Sequence, residues 1–183
     1  MKALLAVLVV LTGVLYPFAV YYGFDSLSPR LFALVLAAVW LLRSLVARGQ
    51  QNWLLTLVVL AFCTLLFAAN RPGLLHWYPV LVNGLLLLVF AASLVSGQPV
   101  IERLARLQEP GLSPAGVAYT RKVTLVWVSF FAANATIAAA VTLWAPRSWW
   151  LLYNGFIAYF LIGLLFAVEW LIRQRVKKAD ELD

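Results

Sequence analysis

The chain has 183 residues, of which 64% are hydrophobic and only 11% are charged, with a mean hydropathy of +0.94. Soluble domains are typically about 45–50% apolar and about 25% charged, so this composition excludes an ordinary soluble domain and predicts a protein embedded in lipid. The net charge of +7 does not indicate a nucleic-acid partner, because the basic residues lie between and after apolar runs, where membrane topology and anionic lipid account for them. Cys63 stands alone, so the sequence predicts neither a disulfide nor a metal set.

The apolar runs predict an all-α, polytopic transmembrane bundle of six helices in a single domain, because a membrane-spanning helix needs about 20 apolar residues. The first run is predicted to be an uncleaved helix rather than a secretory signal, since no small-x-small cleavage site closes its apolar core. The predicted spans are residues 3–22, 31–47, 53–69, 76–95, 123–144 and 149–172, with a loop at 97–122 and a tail at 173–183.

The lysines and arginines are sorted between the two sides of this predicted bundle. Eleven of the fourteen fall on the side that carries both termini and the central loop, and three, Arg30, Arg71 and Arg147, fall on the other side. Loops rich in lysine and arginine stay on the cytoplasmic side of a membrane. The asymmetry therefore predicts that both termini and residues 97–122 are cytoplasmic.

The central loop is predicted to contain a short helix that lies in the membrane interface. Pro99 can start this helix, and four apolar residues then fall on one face at helical spacing, with the charged residues elsewhere. The four are Val100, Ile101, Leu104 and Leu107. The loop is either a plain connector on the membrane or a docking surface for a cytosolic partner. The candidate contacts with a partner or with lipid headgroups are Arg103, Arg106, Arg121 and Lys122.

Polar residues inside spans are costly and usually face the bundle interior, which makes four of them candidates for an intramembrane polar site. They are Asn83, Asn134, Asn154 and Glu169. The alternative is structural, because asparagines bond neighbouring helices for about 0.6–2 kcal/mol and Glu169 can form an i,i+4 ion pair with Arg173. No catalytic, metal or cofactor residues are predicted, since His76 is the only histidine and neither a phosphate-binding loop nor a nucleophile triad is present.

A weak repeat relates the third and fourth predicted spans to the fifth and sixth. The sequence FAAN occurs at residues 67–70 and 131–134, and each copy is followed by aromatic residues, an Asn-Gly pair and a long apolar run. The repeat marks either a duplicated helical hairpin, as in parallel-repeat membrane proteins, or a coincidence of biased composition.

Several short motifs follow one another from the central loop to the last span. They are QPVIER at 98–103, YTRK at 119–122, VWVSFF at 126–131, Ala133-Asn134 and Trp144-Ala145-Pro146. This ordered set resembles the intracellular septation protein A family of small polytopic proteins in the bacterial inner membrane. The chain departs from that family in its many tryptophans and in LYNG at 152–155. In these features it looks closer to a related, uncharacterised group of membrane proteins associated with aryl-polyene and fatty-acid-like biosynthetic gene clusters.

The first resemblance implies a protein of the bacterial inner membrane with a role in envelope maintenance or division. We therefore expect a non-enzymatic scaffold whose partners are the anionic bilayer and envelope or division proteins. The first alternative is a carrier or flippase for a lipid-like substrate, which would need a cavity between helices near the middle of the membrane. The second alternative, implied by the biosynthetic group, is a membrane anchor for acyl-carrier-linked synthesis.

Overall fold

The computed structural model describes residues 28–46 and 53–180, and every regular element in these two ranges is helical. The predicted all-α class is therefore confirmed for this part of the chain. The first predicted span, residues 3–22, lies outside the described residues. The chain divides after Tyr78 into two compact units, and each is described by itself.

Seven α-helices make up most of the described residues. They are α1 (Pro29–Val46), α2 (Trp53–Ala69), α3 (Tyr78–Val95), α4 (Val100–Gln108), α5 (Pro114–Trp144), α6 (Arg147–Leu152) and α7 (Ala158–Asp180). A 3-10 segment, Pro72–Trp77, leads into α3, and a π-helical turn, Tyr153–Ile157, joins α6 to α7.

Three apolar segments of the described chain are long enough to cross a membrane. They are Gly73–Val95, Pro114–Trp144 and Arg147–Val176, with 23, 31 and 30 residues. At 1.5 Å per residue each exceeds the hydrocarbon thickness of about 30 Å. These lengths indicate a membrane-embedded protein, and α1 and α2 are shorter apolar helices.

In the first unit, α1 and α2 form an antiparallel hairpin. Arg30 Nε donates to the Phe67 carbonyl at 3.3 Å, and its guanidinium lies 5.6 Å from the centre of the Phe67 ring. At the other end of the hairpin, Trp40 Nε1 donates to Thr56 Oγ1 at 3.3 Å. Asn70 has a φ of 47°, a left-handed conformation that asparagine adopts more readily than most residues, and α2 ends just before it.

In the second unit, α3 and α7 each pack antiparallel to α5. An aromatic layer joins them, since the Phe90 and Phe131 ring centres lie 5.2 Å apart and those of Trp127 and Phe166 lie 4.7 Å apart. Val123, Trp127 and Phe131 are the buried centre of this layer. Aromatic pairs at these distances add about 0.5–1.5 kcal/mol beyond their burial, so this layer fixes the register of the three helices.

The structure extends the helix that was predicted over residues 123–144 towards its N-terminus. α5 begins at Pro114 because Ser113 caps it, with Ser113 Oγ accepting the Gly116 amide at 3.0 Å. Proline at the first helical position after a serine cap is a common start of a helix. The predicted helix after Pro99 is present as α4.

Candidate functional site

A buried polar cluster joins α3, α5 and the π turn. Asn134 Nδ2 donates to Asn83 Oδ1 at 2.8 Å, and Asn134 Oδ1 accepts the Tyr153 hydroxyl at 2.5 Å. Asn83 Nδ2 donates to the Pro79 carbonyl at 2.8 Å. The two amides therefore each donate one bond and accept another. All three side chains belong to buried residues, and this arrangement meets the requirement that polar groups away from water be bonded.

Asn154 lies beside this cluster in the chain and stabilises the π turn. Its Nδ2 donates to the Trp150 carbonyl at 3.0 Å, a carbonyl that in a regular α-helix would accept the backbone amide of residue 154. A π turn instead bonds residue i to i+5, as the Ala158 amide does with the Tyr153 carbonyl. The Asn154 side chain thus supplies a bond to the Trp150 carbonyl in a turn where the α-helical pattern is interrupted.

Glu169 does not join the asparagines. It lies fifteen positions after Asn154 in the sequence, which corresponds to about 22 Å of helix. Its carboxylate accepts two bonds from Arg173, from Nε at 2.9 Å and from Nη2 at 3.1 Å, so the predicted i,i+4 ion pair is confirmed. The Tyr119 hydroxyl also donates to the Glu169 carbonyl at 3.2 Å, which ties α7 to the start of α5.

Helix α4 is held at its start by neighbouring segments. The Val100 amide donates to Ser93 Oγ at 3.1 Å, so a buried serine of α3 caps α4. Arg103 Nε donates to the Gln98 carbonyl at 2.9 Å. A nine-residue helix is marginal alone in water, and these bonds explain why it is ordered.

The apolar face predicted for α4 is divided between two environments. Ile101 packs against the Val123, Trp127 and Phe131 layer, whereas Leu104 and Leu107 are 54% and 81% exposed. Glu102 was predicted to lie away from the apolar face, and it is buried. Its carboxylate is compensated by Arg106 Nη2 at 2.8 Å, as a buried charge requires.

The four basic residues predicted to contact partners or lipid have different surroundings. Arg106 is engaged by Glu102 and also donates to the Pro110 carbonyl at 3.3 Å. Arg121 Nη1 donates to the Leu94 carbonyl, at the end of α3, at 3.2 Å. Arg103, Arg121 and Lys122 are all exposed, but Arg121 uses a terminal nitrogen for its bond whereas Arg103 uses Nε. Of the four, Arg103 and Lys122 are therefore the best placed to meet a ligand from outside.

A cavity of about 60 Å³ lies between α4, the turn at 109–113, the start of α5 and the end of α7. Apolar groups of Ile101, Ala105 and Leu112 line it together with the polar groups of Tyr119 and Glu169. A buried water needs about 10–15 Å³ of cavity volume, so the cavity has room for a few waters or one small aliphatic group. Its paired charges and apolar wall are suited to a small amphipathic group.

Gly116 lets the 109–113 turn fold back over α5. A Cβ atom at this position would lie 2.9 Å from Leu112 Cγ, which is closer than packed carbon atoms approach. Among the described residues, no group of three or more His, Cys, Asp or Glu side chains is placed to hold a metal ion.

Two participants in these contacts were missed by the sequence analysis. Tyr153 completes the asparagine cluster and Tyr119 contacts Glu169, but a tyrosine in or beside an apolar run is also typical of a membrane interface. The sequence Tyr153-Asn154-Gly155 contains no pattern that predicts the π turn.

Comparison of the chain with protein-family models, with curated proteins and with solved structures finds no match.

Proposed function

We propose that this chain is a non-enzymatic, multi-pass protein of the bacterial inner membrane that acts as a scaffold for envelope or division proteins. In this proposal six helices cross the membrane and both termini are cytoplasmic. The long apolar helices support the membrane location, the distribution of lysine and arginine supports the orientation, and the ordered motifs from residue 98 to 146 support the role in the envelope.

Helix lengths and tryptophans give the proposed position of the second unit in the bilayer. Trp144 and Trp149 are 80% and 60% exposed at the α5–α6 connection, and tryptophan is enriched at membrane interfaces. From Trp144, a hydrocarbon layer of about 30 Å extends to about residue 124 of α5. Asn134 then lies near the middle of the membrane, and Tyr119 lies at headgroup depth on the cytoplasmic side.

The asparagine cluster favours a structural role over transport. Asn83 and Asn134 bond one another and Tyr153, and Asn154 bonds the Trp150 carbonyl. A carrier needs polar groups that bond its substrate in a cavity near the midplane, whereas these groups bond one another. The bonded amides therefore support the scaffold in preference to the carrier or flippase.

The observation that carries the proposal is the cavity beside α4. It opens at headgroup depth in the proposed orientation, and Gln108 and Leu112 line it with the Glu169–Arg173 pair. Binding sites in proteins combine an apolar lining with a few placed polar groups, and this cavity has both. We place a side chain of a cytosolic or envelope partner in this cavity.

Photocrosslinking in intact bacterial cells tests the scaffold. A photoreactive phenylalanine at Gln108, which is exposed and lines the cavity, is expected to capture an envelope or division protein identified by mass spectrometry. The same group at Leu143, exposed near the other end of α5, is the matched control and should not capture that protein. Ala105→Phe fills the cavity and should reduce capture about tenfold, which corresponds to about 1.4 kcal/mol of binding.

Two outcomes would contradict the docking of an envelope partner in this cavity. If Ala105→Phe leaves the capture from Gln108 unchanged, the cavity is not the docking site. Capture of an acyl-carrier-linked enzyme in place of an envelope protein would favour the biosynthetic anchor.

A further inference from the structure

Helix α4 has an outward face that its own unit leaves uncovered. Leu107 is 81% exposed, Leu104 is 54% exposed, and Val95 at the end of α3 is 89% exposed. The opposite side of the helix contacts protein, since Ile101 packs on the aromatic layer and Ala105 lines the cavity. Exposed leucines on an amphipathic helix beside membrane spans are characteristic of insertion into the interface.

The position of α4 along α5 supports the same conclusion. Ile101 and Tyr119 pack against the same layer of Val123 and Trp127, so α4 lies beside the N-terminal part of α5. In the proposed membrane position, that part of α5 leaves the hydrocarbon at about residue 124. Helix α4 therefore lies at the depth of the headgroups, where an apolar face can enter the acyl boundary by about 5–10 Å.

The basic residues near this boundary differ in how far their side chains are already bonded within the protein. Arg103 precedes Leu107 by one helical turn, so the two side chains are neighbours on α4. Arg103 uses Nε for the Gln98 carbonyl, and its terminal nitrogens remain for an outside acceptor. Lys122 is exposed directly before the predicted span at residues 123–144. Arg106 differs, because buried Glu102 neutralises it, and exposed Arg121 differs because one of its terminal nitrogens donates to the Leu94 carbonyl.

We propose that the Leu104 and Leu107 face of α4 is inserted in the cytoplasmic leaflet and that Arg103 and Lys122 bind anionic phospholipid headgroups there. This inference rests on the proposed orientation but not on a protein partner. The flanking cations favour anionic lipid over a protein segment, since basic residues close to a membrane surface are attracted to anionic headgroups. Arg106 is left out of the lipid contact.

Depth measurements on purified protein in vesicles test the insertion. An environment-sensitive fluorophore is attached to Leu107→Cys in a Cys63→Ala background, and the matched control carries it at Gly111, an exposed position of the 109–113 turn. In vesicles of phosphatidylcholine with phosphatidylglycerol, the Leu107 probe should emit at shorter wavelength and be quenched by aqueous iodide several-fold less than the Gly111 probe. Equal quenching at the two positions would overturn the insertion and would indicate a face open to a protein partner.

The lipid preference is tested by removing the two charges. Arg103→Gln with Lys122→Gln should abolish the difference in Leu107 quenching between vesicles with and without phosphatidylglycerol. Arg71→Gln removes a charge at an exposed position of the first unit and should leave that difference unchanged. Persistence of the difference in the double variant would overturn the headgroup assignment. Because the vesicles contain no other protein, failure of the scaffold in cells would leave these results unaffected.

Discussion

Asn134 is the residue on which α3, α5 and the π turn converge, and its contacts predict how stability changes when they are removed. Tyr153→Phe removes the hydroxyl that Asn134 Oδ1 accepts. We expect the free energy of unfolding in detergent micelles to fall by about 1 kcal/mol, as for other bonds between membrane helices. Asn134→Ala should cost more, because Asn83 and Tyr153 both lose a partner. Tryptophan fluorescence during denaturation measures both changes.

A double-mutant cycle separates this bond from general packing. Tyr153→Phe and Asn134→Ala together should cost less than the sum of the two single changes, because both remove the same bond. Ser129→Ala is the control, since Ser129 is exposed and bonds only the Leu125 carbonyl of its own helix. Additive costs for the pair would show that the bond does not stabilise the protein.

Some of these residues could be predicted from the sequence, and others could not. Asn83, Asn134 and Asn154 are evident because an amide in an apolar run is costly unless it is bonded. Their partners were not evident, since pairing between Asn83 and Asn134 depends on the antiparallel register of α3 and α5. Glu102 was placed on a polar face by helical periodicity alone, but Arg106 allows it to be buried.

At the scale of elements, the π turn at Tyr153–Ile157 predicts an unusual tolerance to deletion. A π turn holds one residue more than the α-helical pattern needs. Deleting Phe156, which is 63% exposed, should therefore leave α6 and α7 in their present register as one regular helix. Deleting Gly163, inside α7, rotates the rest of that helix by about 100° and moves Phe166 away from Trp127.

Thermal unfolding and size-exclusion chromatography in detergent distinguish the two deletions. We expect the Phe156 deletion to give a monodisperse protein that melts within a few degrees of the parent. The Gly163 deletion should aggregate or melt much lower, because it separates the aromatic pair whose centres are 4.7 Å apart. If both deletions are equally damaging, the π turn is not an extra residue in an otherwise regular helix.

Some boundaries of the helices can be predicted from local sequence patterns, and others cannot. The Ser113-Pro114 pair is a helix start that the sequence contains, yet the apolar run that predicts the span begins only at residue 123. The π turn has no such signal, since LLYNGF fits an apolar helix equally well. The bonds made at this turn, from Tyr153 to Asn134 and from Asn154 to the Trp150 carbonyl, become visible only in the folded structure.

At the scale of the whole molecule, composition decides the class of structure more firmly than any motif. Backbone groups in lipid must be bonded within their own segment, so long apolar runs become helices, as Gly73–Val95, Pro114–Trp144 and Arg147–Val176 do. The same composition contains little information about which faces meet. Most apolar residues can face either lipid or protein, and the antiparallel packing of α5 and α7 is fixed by a few contacts such as that between Tyr119 and Glu169.

The proposed six-span topology predicts opposite accessibility for two exposed positions. Ser148, in α6, should face the periplasm, and Gln108, at the end of α4, should face the cytoplasm, because the lysines and arginines are concentrated on the side of α4. Each residue is changed to cysteine in a Cys63→Ala background and treated in intact cells with a thiol reagent that does not cross the inner membrane. Ser148→Cys should react at once, and Gln108→Cys only after the membrane is permeabilised. Reaction of Gln108→Cys in intact cells would reverse the orientation, and the scaffold could not then bind a cytosolic partner through the cavity beside α4.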